Sequence, residues 1–351
     1  MSPAAPRLTR RSWLAGALVA PVVALAACST EEERSASGGS DAGGSGEFAP
    51  VSLEHALGTA EIPEKPQRIV TLGQGSAETA IALGIVPVGI EEYAWGADPE
   101  TGYLPWIHDA VTGTGGDLPE QFTGGTELDV EAILALEPDV ILAPWSGLTQ
   151  EQFDILTDIA PTVAYAEQPW VITWEEQITT IGAALGEDTA AAGLIDEIHA
   201  TFEESAQSGY SDYTFSFIYN SGPGTLGVFY QDEQRVAMVR ALGLTVDPVN
   251  QELGEWDVPG TDSAMIGLEN ADKLADSDLI FTFYSDEANR AETEDQDLYA
   301  SIPAVAHGAI VAPTDQAFVT GSSIINPLTV PWALERYIPL IDEAIAKVPA
   351  A

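Results

Sequence analysis

The sequence predicts an α/β protein with two Rossmann-like lobes, whose mostly parallel sheets are joined by one long α-helix. Two observations predict the lobes: a helix-then-strand unit at Leu128–Ala143, and a related unit at Ile266–Phe281. A third is the long amphipathic segment Gly186–Gln207, which comes between the two units and is interpreted as the helix that joins the lobes. The length of 351 residues allows two domains, because a single hydrophobic core stops growing at about 250–300 residues.

The unit at Leu128–Ala143 combines a short helix with a buried strand. Four apolar residues recur at helical spacing, which predicts one buried face: Val130, Ile133, Leu134 and Leu136. Asp129 is a good N-cap, and Pro138 ends the helix. Val140–Ala143 is a short unbroken apolar run, typical of a strand covered on both faces in a parallel sheet. The carboxyl end of this strand, where Trp145 follows, is the usual ligand edge of such a sheet.

The N-terminal lobe begins with a strand–turn–helix–strand unit, which is a right-handed parallel crossover by default. Its parts are the strand Ile69–Leu72, the turn Gly73–Ser76, the helix Ala77–Leu83 closed by Gly84, and the strand Val86–Ile90. The turn begins like a dinucleotide-binding turn, but Glu78 stands where that motif has a third small residue. A carboxylate there competes with a pyrophosphate for the same N–H groups, which argues against nucleotide binding.

The remaining elements follow from apolar runs, helical periodicity and turn residues. Glu91–Phe122 is a long polar segment containing aromatic residues and is predicted to be a binding loop. The rest of this lobe is predicted to have helices at Gln150–Ile159 and Trp170–Leu185 and a strand at Thr162–Tyr165. In the second lobe the predicted strands are Thr214–Tyr219, Gly224–Tyr230, Leu279–Tyr284 and Ala309–Ala312. The predicted helices are Arg235–Leu242 and Pro327–Lys347.

The N-terminus has the features of an export signal. Three arginines flank the start of the apolar stretch Leu14–Ala27, which is too short to span a bilayer. Residues 9–14 resemble a twin-arginine motif, so the general and the twin-arginine export routes both stay open. Leu25–Cys28 resembles a lipobox, and Cys28, the only cysteine, is predicted to be lipidated. The alternative is a free thiol within the signal peptide.

These segments define the predicted organisation of the chain. Residues 1–27 are the signal peptide, and residues 28–47 are the lipidated cysteine and a flexible tether rich in Ser, Gly and Glu. Residues 48–185 form the N-terminal lobe, residues 186–208 the bridging helix and residues 209–351 the C-terminal lobe. The protein is predicted to be exported and anchored by lipid to the outer face of the cell membrane, in a Gram-positive bacterium.

The composition is strongly acidic, with 55 Asp and Glu against 12 Lys and Arg and a formal net charge of −43. Such a surface repels nucleic acid and anionic lipid headgroups, so neither is an expected partner. A saline or otherwise demanding habitat explains the excess of acids better than a direct functional role does. No Lys or Arg lies between Arg68 and Arg235, so most of the N-terminal lobe has no basic side chain.

The chain resembles the iron-siderophore/cobalamin family of ABC-importer substrate-binding lipoproteins over about Pro66–Val348. The segments that carry the resemblance are Pro66–Ile90, LDVEAILALEPDVILA at Leu128–Ala143, and Ala160–Gln177, the last being similar to the ferric-siderophore branch. The resemblance implies two α/β lobes, one long bridging helix and a ligand cleft between the lobes. Because such a bridge flexes little, it also implies only modest closure of the lobes.

The resemblance further implies that one glutamate in each lobe docks onto arginines of the membrane permease. Glu131 and Glu269 occupy the matching positions, one in each helix-then-strand unit. The alternative for both is a local role at a helix N-terminus, where a carboxylate contributes about 0.3–1 kcal/mol of stability. If the two glutamates dock the permease, reversing both charges abolishes uptake and leaves ligand affinity unchanged.

A ferric siderophore is a large, oxygen-rich chelate, so its cleft needs aromatic walls and a few hydrogen-bond donors. The candidate ligand-binding residues lie at strand ends or in the predicted binding loop: Gly75, Ser76, Tyr93, Trp95, Trp145, Tyr219, Tyr230, Arg235, Trp256 and Tyr284. Trp145 ranks first among the aromatic residues because it directly follows a buried strand. For every aromatic residue the alternative is packing in the core.

The sparse basic residues bear on the charge of the ligand. In the relatives, arginines in the cleft contact iron-bound oxygens or neutralise the chelate, whereas the first lobe here has only Lys65 and Arg68. Arg235 begins a helix after a strand and is the leading basic candidate in the second lobe. Because an isolated charge is costly to desolvate, a neutral or cationic ferric complex of the trihydroxamate type is favoured over a trianionic tris-catecholate.

Other ligands and activities are weighed against this interpretation. Cobalamin or haem in the same fold is the main alternative. Direct metal-ion binding needs clustered ligands, whereas the four histidines are scattered through the sequence: His55, His108, His199 and His307. An enzyme is disfavoured because there is no G-x-S-x-G elbow, H-E-x-x-H helix or catalytic cysteine. The prediction is a monomeric binding protein without a cofactor, whose partners are a ferric siderophore and ABC transporter permease subunits.

Overall fold

The computed structural model describes residues 48–256 and 261–350. The predicted signal peptide, Cys28 and the tether lie outside these residues. Within them, one lobe is built on a parallel sheet and the other on a mixed sheet, which confirms the prediction of a two-lobe α/β fold. No helix in the described ranges combines the length and the apolar character needed to cross a bilayer.

The N-terminal lobe opens with an antiparallel hairpin formed by β1 (Val51–His55) and β2 (Gly58–Ile62). Its parallel sheet consists of β3 (Ile69–Thr71), β4 (Gly89–Glu91), β5 (Glu120–Phe122), β6 (Val140–Leu142) and β7 (Thr162–Val163). The strand order across the sheet is β5-β4-β3-β6-β7. Every residue of β3 and β6 is buried, as expected for strands that are covered on both faces.

The helices that follow these strands begin at caps that the sequence provides. They are α1 (Ser76–Ala82), α2 (Pro105–Gly113), α3 (Val130–Ala135), α4 (Gln150–Thr157), α5 (Trp174–Leu185) and α6 (Asp188–Ser205). Asp129 accepts a hydrogen bond of 2.9 Å from the N–H of Ala132 and so caps α3. Gly186, with a φ of 68°, ends α5, and α6 then extends for 18 residues between the two sheets in chain order.

The C-terminal lobe has a six-stranded sheet. Its strands are β8 (Thr214–Tyr219), β9 (Gly227–Phe229), β10 (Thr245–Val246), β11 (Ser263–Met265), β12 (Leu279–Phe281) and β13 (Ile310–Val311). The order is β11-β9-β8-β12-β13, with β10 also paired to β8. β9 runs antiparallel to β8 and β11, and the other pairings are parallel. The core includes an edge-on contact between Phe215 and Phe281, whose ring centroids lie 5.2 Å apart.

Helices cover this second sheet. They are α7 (Gln234–Ala241), α8 (Glu287–Glu294), α9 (Asp297–Ala300), α10 (Pro303–His307), α11 (Gln316–Gly321) and α12 (Thr329–Ile345). Short 3-10 helices occur at Gly125–Glu127, Tyr210–Asp212, Pro248–Trp256 and Leu268–Leu274. The buried face of α12 places Tyr337 edge-on against Phe281, with the ring centroids 5.9 Å apart.

Two details of the repeated unit differ from the prediction. Leu134 is 57% exposed, because α3 is only six residues long and turns mainly Ile133 inward. The second unit forms the 3-10 helix Leu268–Leu274 instead of an α-helix. There the amide of Asn270 donates to the carbonyl of Ile266 at 2.8 Å, and Asn270 itself has a non-helical backbone. A side chain that bonds to nearby backbone competes with regular helix formation.

The segment Glu91–Phe122 is more ordered than the prediction of a long binding loop. It contains α2 and β5, and Trp106 of α2 is buried. The ring of Trp106 meets the ring of Trp332 on α12 at 5.2 Å, so an aromatic contact joins the two lobes. Gly321 fits against this pair, because an added Cβ would lie 2.9 Å from both rings. The two lobes are therefore in direct contact at a packed aromatic junction.

Candidate ligand cleft

A cavity of about 490 Å³ lies between the two lobes. The N-terminal lobe lines it with the loop after β6 and the loop between β7 and α5, and the C-terminal lobe lines it with residues after β9 and before β11. The lining residues from the first lobe run from Trp145 to Glu176, and those from the second lobe include Tyr230, Glu233 and Asp262. This volume is within the range of about 300–1,000 Å³ that is usual for small-molecule sites.

Trp145 lies where the sequence predicts it, directly after the carboxyl end of β6 and in the wall of this cavity. Its backbone is held from two sides. The hydroxyl of Ser146 donates to the carbonyl of Ala143 at 2.7 Å, and Gly73 approaches so closely that an added Cβ would lie 1.7 Å from the Trp145 carbonyl oxygen. The turn after β3 thus fixes the position of Trp145.

Trp170 also lines the cavity, although the sequence pattern predicts it to lie inside a helix and not in a binding loop. The indole is 43% exposed and meets the ring of Trp145 edge-on at 4.7 Å. Its φ of +65° is in the left-handed region, which costs about 1–3 kcal/mol for a residue other than glycine. A signal was present: the capping box of Thr173 and Glu176 starts α5 at Trp174 and leaves Trp170 in the preceding loop.

The cavity wall is acidic. Five carboxylates line it: Glu167, Glu176, Asp232, Glu233 and Asp262. Among the described lining residues there is no Lys or Arg. Glu233 is the most buried of the five acids, with a side chain that is 8% exposed. Burial raises the pKa of Glu233 to about 7, against the lowering effect of the neighbouring Arg235 guanidinium.

Arg235, the leading basic candidate, is already paired. Its guanidinium lies 2.5 Å from Glu233 and 3.8 Å from Asp262. It also lies over the rings of Phe229 and Phe283, at 4.7 Å and 5.8 Å from their centroids. The side chain is 18% exposed and stands behind the two acids instead of in the cavity wall. Its charge therefore offsets part of the local acidity and is not directly presented to a ligand.

The turn after β3 directs its N–H groups to internal partners. Gly75 donates to Glu78 at 2.9 Å, and Gly73 donates to Glu91 at 2.8 Å. Ser76 is fully buried, so its hydroxyl does not reach the cavity. Burial raises the pKa of both the Glu78 and Glu91 carboxyls, although these hydrogen bonds lower it. The expectation that these two residues offer donors to a ligand is therefore not met: Glu78 accepts the N–H of Gly75, and burial keeps the hydroxyl of Ser76 from the cavity.

The other aromatic candidates are dispersed. Tyr230 lines the cavity. Tyr219 is half-buried and bonds to the hydroxyl of Ser263 at 3.0 Å, and Tyr284 is buried with its hydroxyl 2.9 Å from that of Tyr299. Both are therefore held in the second lobe by polar partners and do not line the cavity.

Three more candidates lie away from the cavity wall. Tyr93 is half-buried beside Glu91 and Glu78, and burial together with these carboxylates raises its pKa well above the ordinary value. Trp95 is exposed on the following loop. Trp256 is half-buried, with the ammonium of Lys273 at 4.9 Å from its ring centroid.

A sequence profile of the family described as Periplasmic binding protein matches residues 69–317. The chain belongs to the periplasmic binding protein family. The probable siderophore-binding lipoprotein YfiY of Bacillus subtilis is 35% identical over 166 residues, which are 47% of this chain and 45% of that protein. A cobalamin-binding protein of Halobacterium salinarum is 29% identical over 164 residues, which are 42% of this chain and 37% of that protein. This chain therefore spans less than half the length of these curated relatives.

Solved structures give a longer match for this periplasmic binding protein. PiaA of Streptococcus pneumoniae in complex with ferrichrome is 28% identical, with a TM-score of 0.76 over 85% of this chain and 99% of that one. A periplasmic solute binding protein of Mycobacterium smegmatis is 23% identical, with a TM-score of 0.67 over 85% of this chain and 99% of that one. The second likeness bears on the fold alone.

Glu131 and Glu269 of this periplasmic binding protein are both exposed. Each stands in the first turn of its helix, in α3 and in the 3-10 helix Leu268–Leu274. Neither makes an ion pair with another residue in the described ranges. Two unpaired carboxylates, one in each lobe, are thus available to a partner.

A second cavity, of about 650 Å³, lies within the N-terminal lobe of the periplasmic binding protein, next to the first. It is lined by Leu72 after β3, Glu91 at the end of β4, and Ser146–Thr149 with Glu151 and Gln152. Trp170 lines both cavities. Within residues 48–256 and 261–350, no group of three or more His, Cys, Asp or Glu is arranged to hold a metal ion.

Proposed function

We propose that this protein captures a neutral or cationic ferric siderophore, of the hydroxamate type, and delivers it to an ABC importer. The observation that carries the proposal is the charge of the cavity between the lobes, where five carboxylates and no basic residue line the wall in the described part of the chain. The ligand is cargo and not a cofactor, and the protein acts as a binding protein and not as an enzyme.

The electrostatic argument compares the two common chelate classes. A ferric tris-catecholate has three negative charges and would have to lose water beside Glu233 and Asp262, which is unfavourable without a counter-charge. Arg235 is engaged by those same two acids. A ferric trihydroxamate is neutral, or cationic when it has a pendant ammonium group. It avoids this repulsion, and a pendant ammonium gains an attraction.

The aromatic walls suit the apolar linkers of such a chelate. Trp145 and Trp170 stand on the first-lobe side of the cavity and Tyr230 on the second-lobe side. An aromatic ring gives a large contact area with little loss of side-chain entropy, and the indole N–H and phenol O–H can donate to chelate oxygens. The complex of the PiaA relative with ferrichrome supports this proposal. The relative that is named as a cobalamin-binding protein makes cobalamin the second candidate.

The proposal is tested by titrating the purified protein with four probes and following intrinsic tryptophan fluorescence. The probes are a neutral cyclic ferric trihydroxamate, a linear ferric trihydroxamate with a terminal ammonium, a ferric tris-catecholate and cyanocobalamin. We expect the cationic trihydroxamate to bind at least about 100-fold more tightly than the tris-catecholate, a difference of about 2.7 kcal/mol. Tighter binding of the tris-catecholate refutes the hydroxamate proposal, and tightest binding of cyanocobalamin establishes the alternative.

Charge-neutralising variants locate the selectivity. Glu233→Gln and Asp262→Asn should each reduce the preference for the cationic over the neutral trihydroxamate, because each removes one carboxylate from the wall. Glu64→Gln is the matched control, since Glu64 is an exposed acid that does not line the cavity. Equal ratios of the dissociation constants in all three variants would show that the wall charge does not select the ligand.

We propose that delivery to the permease uses Glu131 and Glu269, which are exposed and unpaired in the described residues. The double variant Glu131→Lys with Glu269→Lys should abolish uptake of the ⁵⁵Fe chelate by cells and leave the dissociation constant of the purified protein unchanged. Glu64→Lys with Glu335→Lys makes the same change in net charge at other exposed acids and is expected to retain uptake. A loss of ligand affinity in the first variant would mean that the two glutamates act in binding instead.

We propose that the protein is a monomer, with its N-terminal lobe at residues 48–185, its bridging helix at 186–208 and its C-terminal lobe at 209–351. We further propose that a lipid on Cys28 holds it at the outer face of the membrane of a Gram-positive bacterium. This rests on the lipobox-like sequence at Leu25–Cys28 and on the resemblance to lipoproteins. Cys28→Ser should release the protein from the membrane fraction, and retention of the variant there would contradict the anchor.

A further inference from the structure

Trp170 stands between two cavities at the cleft. Its indole lines both the 490 Å³ cavity between the lobes and the 650 Å³ cavity within the N-terminal lobe. In the neighbouring segment, Trp145 lines the cavity between the lobes, whereas Ser146 and Gly147 line the cavity within the N-terminal lobe. A single side chain of the β7–α5 loop thus lies at the border of both cavities.

The indole rests on a surface that is shaped for it. Gly147 lies flat beneath the ring, and an added Cβ there would come within 2.5 Å of the indole. The edge of the ring meets the ring of Trp145, and the backbone N–H of Trp170 donates to the backbone carbonyl of Ser146 at 3.2 Å. The ring is thus packed against Trp145 and Gly147, beyond the end of β6, and the hydrogen bond anchors the backbone of the same residue.

The backbone of Trp170 adds a second, independent observation. Trp170 and Glu137 are the two non-glycine residues with positive φ in the described ranges. Strain of this kind persists where the surroundings require it, and it concentrates at binding sites. Here the left-handed conformation turns the indole out of the loop and toward the cleft. A glycine would adopt the same backbone without strain but would place no ring at the border of the two cavities.

We propose that Trp170 is a partition that sets the size of chelate the cleft accepts. The inference rests on the proposed capture of a ferric siderophore and deepens it. A compact chelate in the cavity between the lobes packs against the indole, which closes the compartment within the N-terminal lobe. A bulkier chelate of the same charge meets the ring and is rejected. Removing the partition joins the two compartments and relaxes this discrimination.

The test uses two neutral cyclic ferric trihydroxamates with the same iron-binding groups, one with small and one with bulky acyl arms. Trp170→Gly removes the ring and accepts the positive φ. Gly147→Ala leaves Trp170 intact but displaces its ring, because the new methyl group occupies the seat of the indole. Leu298→Ala is the control, since it removes an exposed hydrophobic side chain that lines neither cavity.

We expect Trp170→Gly and Gly147→Ala each to weaken binding of the compact chelate about tenfold, the loss of one well-placed aromatic contact. The bulky chelate should bind both variants more tightly than it binds the wild type, so the ratio of the two dissociation constants changes in favour of the bulky probe. Leu298→Ala should keep the wild-type ratio. An unchanged ratio in both cleft variants, with the compact chelate still bound by each, overturns the inference.

Crystal structures of the ligand-free wild type and of Trp170→Gly separate this inference from the proposed function. One continuous cavity in the variant and two in the wild type support the partition, whether or not a chelate binds. Two separate cavities in the variant would overturn it, because other residues would then form the wall. Failure of the wild type to bind any ferric trihydroxamate refutes the proposed function, and the two structures still decide the partition.

Discussion

Replacing Trp106 with phenylalanine tests how the aromatic junction between the lobes is connected to the turn after β3. Trp106 is buried, and its indole N–H donates to the carboxylate of Glu78 at 2.9 Å. The other oxygen of Glu78 accepts from Gly75, at the turn after β3. Phenylalanine keeps a ring against Trp332 but removes the donor and part of the ring volume. One buried carboxylate oxygen is then left with a weaker set of partners.

The magnitude follows from these two losses. A hydrogen bond to a buried charged group contributes about 1.5–3 kcal/mol. The smaller ring adds a cavity cost of about 1 kcal/mol, by analogy with other large-to-small core changes. We therefore expect Trp106→Phe to lower the free energy of unfolding by about 2.5–4 kcal/mol at neutral pH. The loss should become smaller as the pH falls, because burial raises the pKa of Glu78 and its carboxyl is therefore neutralised at a higher pH than that of an exposed glutamate.

A double-mutant cycle with Glu78→Gln isolates the hydrogen bond from the packing. Urea unfolding, followed by far-ultraviolet circular dichroism, gives the free energy of unfolding of the wild type, the two single variants and the double variant. We expect a coupling energy of about 1–2 kcal/mol, since a neutral amide gains less from the indole donor than a carboxylate does. Additivity within about 0.5 kcal/mol would refute the reasoning and assign the whole loss to packing.

Two further predictions concern the cleft. Burial raises the pKa of Glu233 from 4.5 to about 7, so the folded state holds this proton more tightly than the unfolded state does. The resulting contribution to stability is full below pH 4.5 and is lost as the pH rises to about 7. Glu233→Gln should remove up to about 3 kcal/mol of this pH dependence from the free energy of unfolding measured in urea, and an unchanged pH dependence would contradict the prediction. Gly73→Ala should lower the free energy of unfolding by at least about 3 kcal/mol, because the new Cβ would clash with the Trp145 carbonyl oxygen. The control Gly84→Ala has a similar positive φ but open space around the new Cβ, and should lower it by about 1 kcal/mol. Similar losses in the two variants would show that the turn after β3 rearranges to accommodate the methyl group.

The central strands of both lobes could be predicted from local sequence. Three mainly apolar segments match β3, β6 and β8 to within one residue: Ile69–Leu72, Val140–Ala143 and Thr214–Tyr219. Such runs have few alternatives, because a short, fully buried segment bounded by turn residues suits a parallel strand. The hairpin of β1 and β2 was not predicted, although β1 alternates between partly buried and exposed residues and a turn precedes Gly58.

The arrangement of the site was harder to predict, because it depends on partners that are distant in sequence. The N–H of Gly73 bonds to Glu91, which is 18 residues away. The hydroxyl of Tyr284 bonds to that of Tyr299, 15 residues on, and so turns inward. No periodicity or motif encodes such pairings. By contrast, the position of Trp145 follows from a strictly local fact, the end of a parallel strand, and the structure places this residue in the cavity wall.

The acids of the cleft differ in physical kind from those of the surface. An exposed carboxylate costs little, so a high net charge alone indicates no function. Glu233 is different, because burial raises its pKa and makes its charge costly at neutral pH. Arg235 offsets this cost only in part, since Asp262 shares the same guanidinium. Glu233 is therefore only partly ionised near pH 7, and the other four acids of the cavity wall supply most of its negative charge. Under the proposed function, an anionic chelate would meet this charge without a basic counter-charge among the described lining residues, whereas a cationic chelate would be attracted to it.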